Sequence, residues 1–218
     1  MSIALVTGAS KGIGKSICMA LLQQGWQVYG ISRSNPQLSQ PGFVWLNFDL
    51  MHFEDYPTLA DRLPAVLDLV ILSAGIAYGV DLAQLSQLDI DKQFAMNTKS
   101  PILLAQQLSS KLQQGKVINL SSQLITGADA NLALYAASKA ATAVFFKSIN
   151  ANLAITNLLL GPTDSPLAHS LHQTDTNLLS IAEVTEVLTK LAADKDRTSQ
   201  TYRLDKHASR AVLTETNL

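Results

Sequence analysis

A doubly wound α/β fold, one parallel sheet with helices on both faces, is predicted by three features of this chain. Seven short apolar runs recur along it. Most of them are separated by longer stretches with apolar residues at helical spacing, and the first leads directly into a glycine-rich turn that opens a helix-sized segment. Parallel neighbours need crossover connections and strands that are apolar on both faces, and this alternation supplies both.

The strands are read at Ile3 to Val6, Gln27 to Ile31, Phe43 to Asn47, Leu67 to Leu72, Lys116 to Leu120, Ile155 to Leu160 and Thr201 to Leu204. Helical spacing marks Ile13 to Gln24, Asp89 to Gln113, Leu134 to Asn150 and Ile181 to Ala193. Ser34 to Gly42, polar and carrying Pro36 and Pro41, reads as a loop, and Gly161 to Asn177 as a second irregular segment. Neither is long enough to separate domains, so residues 1–218 are expected to form a single domain with a short substrate loop around 161–180. The residues after Thr201–Asp205 read as a polar tail.

At 218 residues and 47% hydrophobic content, the chain can bury one sizeable core. A formal charge of -1 gives no broad electrostatic reason to bind nucleic acid or an anionic membrane. Cys18 is the only cysteine, so no intrachain disulfide can form, which favours a reducing compartment, the cytoplasm. The amino terminus lacks the pattern of a signal peptide, and no apolar run approaches the roughly 18 residues that a membrane helix needs. A soluble protein is expected.

Two motifs carry chemistry. In T-G-A-S-K-G-I-G, Thr7 to Gly14, the glycines Gly8, Gly12 and Gly14 let a diphosphate approach the N-terminus of the following helix, and Ser10 adds a hydroxyl donor. Lys11 and Ile13 complete the turn. It lacks the Gly-Lys-Ser/Thr ending of a P-loop, which argues against nucleoside-triphosphate hydrolysis. In Tyr135-Ala-Ala-Ser-Lys139 the phenol and the ammonium are four residues apart, on one helix face. An ammonium roughly 5 Å away at effective dielectric 20 contributes about 3 kcal/mol, lowering a phenol's pKa by about two units toward useful acid/base chemistry. The structural alternative is a buried tyrosine beside a surface lysine.

The turn, the Tyr-x-x-x-Lys pair and their order resemble the short-chain dehydrogenase/reductase family over nearly the whole chain, which implies a Rossmann-type nucleotide-binding fold. The resemblance implies that Ser122, 13 residues before Tyr135 and at the end of a predicted strand, hydrogen-bonds the reacting oxygen. That spacing selects Ser122 over its neighbour Ser121. Tyr135 would exchange a proton with the carbonyl or alcohol oxygen, while Lys139 would contact the nicotinamide ribose and favour the tyrosinate. Asn97 would help organise a proton-relay water, or else merely kink a helix. The expected partner is a small carbonyl or alcohol substrate, and the expected assembly a homodimer or homotetramer.

In that family an acidic residue after the second strand selects NAD, whereas this chain has Gly30-Ile31-Ser32-Arg33-Ser34 there. Arg33 and Lys11 can instead neutralise the 2′-phosphate of NADP, a charged hydrogen bond of about 1.5–3 kcal/mol shifting preference roughly 10- to 100-fold. NADP(H) is therefore favoured, with NAD(H) as the alternative; both cations can equally be solvated surface groups. Asp49-Leu50 matches the adenine-contacting position, or is a loop cap. Leu72-Ser73-Ala74-Gly75 stands where the family has N-N-A-G, keeping Ala74 and Gly75 but neither asparagine. Leu160 to Ser165 resembles P-G-x-x-x-T, which would bring Thr163 to the nicotinamide carboxamide and Ser165 to the diphosphate. His169 and His172 form no persuasive metal set, and no metal is expected. The reading is an NADP(H)-dependent carbonyl reductase or alcohol dehydrogenase. A non-catalytic NADP-responsive regulatory protein is the alternative, while a sugar-nucleotide epimerase would need more substrate-domain sequence than is present.

Overall fold

The computed structural model describes residues 1–113, 115–127, 130–149, 153–171, 177–194, 196, 198–207 and 209–218. Among them, eight strands form one sheet: β1 (Ile3–Thr7), β2 (Gln27–Ser32), β3 (Phe43–Asn47), β4 (Leu69–Leu72), β5 (Lys116–Ser122), β6 (Ala154–Leu160), β7 (Gln200–His207) and β8 (Arg210–Glu215). The order is β3-β2-β1-β4-β5-β6-β7-β8, parallel throughout except for the antiparallel β7–β8 pair.

Alternation along the strands divides the core in two. Ala4 and Val6 of β1, Leu69 and Ile71 of β4, and Ile118 and Leu120 of β5 pack with Ile17 and Leu21 of α1 (Gly12–Gln23) and Val184 and Leu188 of α7 (Ile181–Ala193). Their neighbours Leu5, Val70 and Val117 pack on the other face, with Leu59 of α2 (Tyr56–Asp61), Leu104 and Leu108 of α4 (Ser100–Leu108) and Phe146 of α5 (Ala133–Ser148). Both faces are covered, and the central strands are accordingly apolar at nearly every position. Cys18 lies inside the first layer, where burial pushes its thiol up to about 12, so it is inert as a nucleophile.

Four elements depart from the sequence reading. The helix expected over 89–113 is broken: a Ser86–Asp89 capping box starts α3 (Gln87–Phe94), a π-helical turn spans Ala95–Lys99, and α4 follows. Pro101 accounts for the break, because it has no N–H to offer the carbonyl four residues back, that of Asn97. That carbonyl accepts instead from the Thr142 hydroxyl on α5, at 2.6 Å. The polar tail is also a correction. Arg210–Glu215 returns along β7 as an edge strand, and its polar composition suits the exposure of such a position. Two short helices, α2 and α6 (Pro166–Ser170), were not anticipated. The last residue of the helix expected over 134–150, Asn150, lies outside the described residues.

Strand order reverses between β1 and β4, and the loops leaving their carboxyl ends diverge there to open a crevice. Thr7 stitches the two ends together: its hydroxyl accepts from Ser73 N–H and Ala74 N–H, both at 3.0 Å. Thr7→Val keeps the shape and leaves those two amides without an acceptor. It should lower unfolding stability by about 1–3 kcal/mol in denaturant titrations, and an unchanged midpoint would show that the stitch contributes nothing.

Candidate active site

The crevice holds a cavity of about 360 Å³ walled by the loops after β1, β2 and β4. Gly8 and Gly12 hold φ of +73° and +57°, a backbone region that only glycine enters at little cost. A Cβ on Gly14 would collide with the carbonyl oxygen of Gly8, so this glycine is what allows α1 to start hard against β1. The N-terminus of α1 has no side-chain cap and no acidic residue in its first turn, whereas α3 and α7 both begin with capping boxes. Uncapped N–H groups at the mouth of an open cavity leave donors and positive dipole for an anionic group, so the site fits the diphosphate of a dinucleotide.

Of the expected cofactor contacts, Gly8, Ser10, Lys11, Gly12, Ile13, Gly14, Arg33, Asp49, Leu50, Ala74, Gly75, Tyr135, Lys139 and Ser165 all line this cavity. Arg33 leaves 69% of its side-chain surface exposed, with Nη1 3.9 Å from the Asp49 carboxylate. Asp49 also accepts from Met51 N–H at 3.0 Å, which is the loop-capping arrangement. Thr163 lines an adjoining cavity of about 320 Å³ instead, and Asn97 lines neither.

Asn97 acts as a clamp. Its amide accepts from Ile76 N–H at 2.9 Å and donates to the Ile76 carbonyl at 2.8 Å and the Ser138 hydroxyl at 3.0 Å, so the π turn holds both the loop after β4 and the helix α5. The helix-irregularity alternative is met, since Asn97 lies in the π turn. A Cβ on Gly75 would come within 3.2 Å of Asn97 Oδ1 and 3.5 Å of Lys139 Nζ, which places this clamp beside the ammonium.

Tyr135 lies at the junction of the two cavities and lines both. Ser122 lines the second cavity beside the phenol, and its oxygen accepts from Leu124 N–H at 3.2 Å, so its own hydrogen is available to donate. Ser121 points elsewhere, toward the Lys139 carbonyl at 3.4 Å. Lys139 is not a surface lysine: it is 7% exposed and donates to the Leu120 carbonyl at 2.8 Å.

The expected lowering of the phenol pKa is not found. Burial pushes Tyr135 up to about 12, with the Ser122 hydrogen bond opposing, and the same burial brings Lys139 down to about 8. The lysine therefore loses its charge before the phenol begins to ionise, and an uncharged amine cannot stabilise a tyrosinate. Near neutral pH the pair is a protonated phenol beside an ammonium.

Several lining residues were not singled out in the sequence. The short helix α6 roofs both cavities with Leu167 and the first also with Pro166, and its N-cap Ser165 accepts from Ala168 N–H at 3.3 Å. Pro166 directly after a serine is a helix-start signal that could have found it. Gln123 and Arg203 line the second cavity; no local pattern marks them, because they come together from β5 and β7. His169 pairs with Asp164 at 2.6 Å on the exposed side of α6, while His172 lies outside the described residues. No cluster of three or more metal-ligating side chains occurs among the described residues, and no helix among them is long and apolar enough to cross a membrane.

The chain matches the family model for short chain dehydrogenases over residues 2–176, and it belongs to that family. It is 32% identical over 156 residues to the L-xylulose reductase of Caenorhabditis elegans, covering 63% of this chain and 60% of that protein. It is 31% identical over 168 residues to a protein of Haemophilus influenzae named as a probable NADP-dependent dehydrogenase, covering 71% and 67%. The chain thus spans less than two thirds of the length of the first of these relatives. Among solved structures, a short chain dehydrogenase from Burkholderia cenocepacia in complex with NADP superposes with a TM-score of 0.79 at 25% identity, over 91% of this chain and 86% of that one. The 3-ketoacyl-(acyl-carrier-protein) reductase of Brucella melitensis shares the fold, with a TM-score of 0.87 at 17% identity over 95% and 98%. The sheet is of the Rossmann type.

The depressed pKa of Lys139 has a consequence for stability. Between about 8 and the unfolded value of 10.5, the unfolded chain holds a proton that the folded one has released, so rising pH favours folding. Relative to Lys139→Met, the wild-type protein should gain stability over this window, by up to about 3 kcal/mol. Paired denaturant titrations at the two ends of this window, about pH 8 and pH 10.5, measure the difference, and a constant gap would show that the lysine is hydrated.

Proposed function

We propose that this protein is an oxidoreductase that interconverts a small carbonyl compound and an alcohol using NADP(H). The observation that carries this reading is the position of Tyr135, sharing a cavity wall with Ser122 at the junction of two adjoining cavities, one helical turn from the buried Lys139. The dinucleotide, when bound, supplies or takes up the hydride.

The chain's own residues do the rest. The open N-terminus of α1, with Ser10 and the glycine turn, binds the diphosphate, while Ala74, Gly75 and Leu50 wall the nucleoside portions. Ser122 donates to the reacting oxygen and holds it against the phenol. Tyr135, protonated near neutral pH because burial holds its pKa high, gives its proton to that oxygen in the reducing direction. Lys139, still charged below about 8, offsets the negative charge left on the phenol. Asn97 keeps α5 and the loop after β4 in register, and Thr163 and Ser165 serve the nicotinamide side.

For the cofactor, Arg33 and Lys11 stand at the adenosine end with no carboxylate at the close of β2. Asp49 offsets part of the Arg33 charge, so the preference for NADP is set at about tenfold, the lower end of what a charged hydrogen bond gives. The NADP in the Burkholderia cenocepacia complex and in the name of the Haemophilus influenzae relative supports the same reading. The segment 161–171 serves as the substrate loop of a single nucleotide-binding unit. Assembly into a homodimer or homotetramer uses the outer face of α5, where Val144 and Phe145 are exposed, and the buried single cysteine suits a cytoplasmic location.

Tyr135→Phe should retain NADP(H) binding, measured by fluorescence titration, and lose carbonyl turnover by a factor of about 10² or more; retained turnover removes the proposed acid. Arg33→Ala should weaken NADPH about tenfold while leaving NADH nearly unchanged, and equal loss of both removes the cofactor assignment.

A further inference from the structure

We propose that the substrate of this site is an oxo acid, or in the reverse direction a hydroxy acid, and that Arg203 binds its carboxylate. This rests on the oxidoreductase reading above and names its substrate class.

Arg203 lies on β7 next to Leu204, which is in register with Leu160 of β6, itself in register with Ser122 of β5. Leu204 is fully buried in the α1–α7 layer, so the alternation of the strand turns Arg203 to the opposite face, the one α5 occupies. There its side chain lines the same cavity as Ser122 and Tyr135. Among the described residues lining that cavity it is the one formally charged side chain.

The guanidinium is held from behind. Its Nε donates to Asp205 Oδ2 at 2.8 Å, and Nη2 donates to Gln123 Oε1 at 3.0 Å. Gln123 is itself fixed, donating from Nε2 to the Leu204 carbonyl at 2.9 Å and to Asp205 Oδ1. Both carboxylate oxygens of Asp205 are thereby engaged on the far side of the arginine. Nε and one Nη2 hydrogen occupy one edge of the guanidinium fork. The other edge, Nη1 with the second Nη2 hydrogen, has no partner among the described residues, and the side chain is 43% exposed.

An arginine whose orientation is fixed by two hydrogen bonds, with the remaining edge of its fork open, is pre-organised for the two parallel bonds that a carboxylate accepts. Arg203, Ser122 and Tyr135 line one cavity of about 320 Å³, which suits a short molecule that meets the arginine at one end and the phenol at the other. Leu124, Leu132, Leu167 and Leu171 supply the apolar wall against the carbon chain. In the reducing direction hydride goes from NADPH to the carbonyl carbon and a proton from Tyr135 to its oxygen, giving the hydroxy acid and NADP⁺, with the carboxylate unchanged.

Pyruvate, acetoacetate and 4-oxopentanoate, which set the carboxylate at increasing distance from the carbonyl, are compared with their primary amides in NADPH-consumption assays and by calorimetry on the NADP⁺-saturated protein. The wild-type protein should prefer at least one acid over its amide by about 10- to 100-fold in kcat/KM. Arg203→Met should reduce that acid-to-amide ratio about tenfold or more, and Arg203→Lys by less, since charge remains but the fork is lost. Turnover of acids and amides at equal rates overturns the substrate class and leaves the oxidoreductase reading standing. Binding of an acid but not its amide, without turnover of either, supports the carboxylate site and overturns the oxidoreductase reading. Binding of neither overturns this proposal. Should Arg203→Met fail to fold, the acid-to-amide comparison on the wild-type protein decides by itself.

Discussion

The site depends on the burial of one ammonium group. Lys139 donates to the Leu120 carbonyl from inside the protein, and together with the Ser121 hydroxyl on the Lys139 carbonyl this bond ties α5 to the end of β5 at the level where the sheet opens. The charge is costly to bury, and the burial that lowers its pKa to about 8 also holds the Tyr135 phenol protonated up to about 12. Desolvation is the largest effect on both groups, and it leaves a protonated phenol beside an ammonium near neutral pH. The same crowding fixes their partners: the Ser121 hydroxyl binds the Lys139 carbonyl, and Ser122 alone reaches the phenol.

How the surrounding helix accommodates this is a matter of one proline. Pro101 cannot donate to the Asn97 carbonyl, and a regular helix from 87 to 108 would leave that acceptor unmet. The π turn at Ala95–Lys99 and the Thr142 hydroxyl resolve the deficit together. The widened turn frees the Asn97 side chain to clamp both strands of contact, Ile76 after β4 and Ser138 on α5. A backbone defect therefore becomes the part that registers the loop after β4 against α5.

Much of this was legible in the chain. β3 matches its sequence reading to the residue and the other six parallel strands match to within a few, because each carries a short apolar run bounded by turn residues. The glycine turn and the Tyr135–Lys139 pair were legible because their geometry is local, set within one turn and one helix. What escaped was non-local. A polar edge strand such as β8 is specified by pairing with β7 rather than by its own composition. The break after Phe94 was masked by continuous apolar periodicity on either side of Pro101. The sign of the phenol shift was misjudged because spacing gives a distance but says nothing of solvent.

The two halves of the site differ in how they are encoded, and that difference explains where sequence reading stops. The nucleotide crevice is made largely of backbone: positive-φ glycines, an uncapped helix start and the divergence of loops at the β1–β4 switch point. Such features demand particular residues at fixed spacing, so they appear as a motif. The adjoining cavity is made of side chains delivered by the ends of β5 and β7, the N-terminal part of α5 and the roof helix α6. Any of them can change without disturbing the sheet, and none constrains its neighbours in sequence. Gln123 and Arg203 meet only because β5, β6 and β7 run in register, Ser122 opposite Leu160 and Leu160 opposite Leu204. The scaffold thus fixes the crevice, while the side chains around the second cavity vary independently of it, which is why one fold serves many functions.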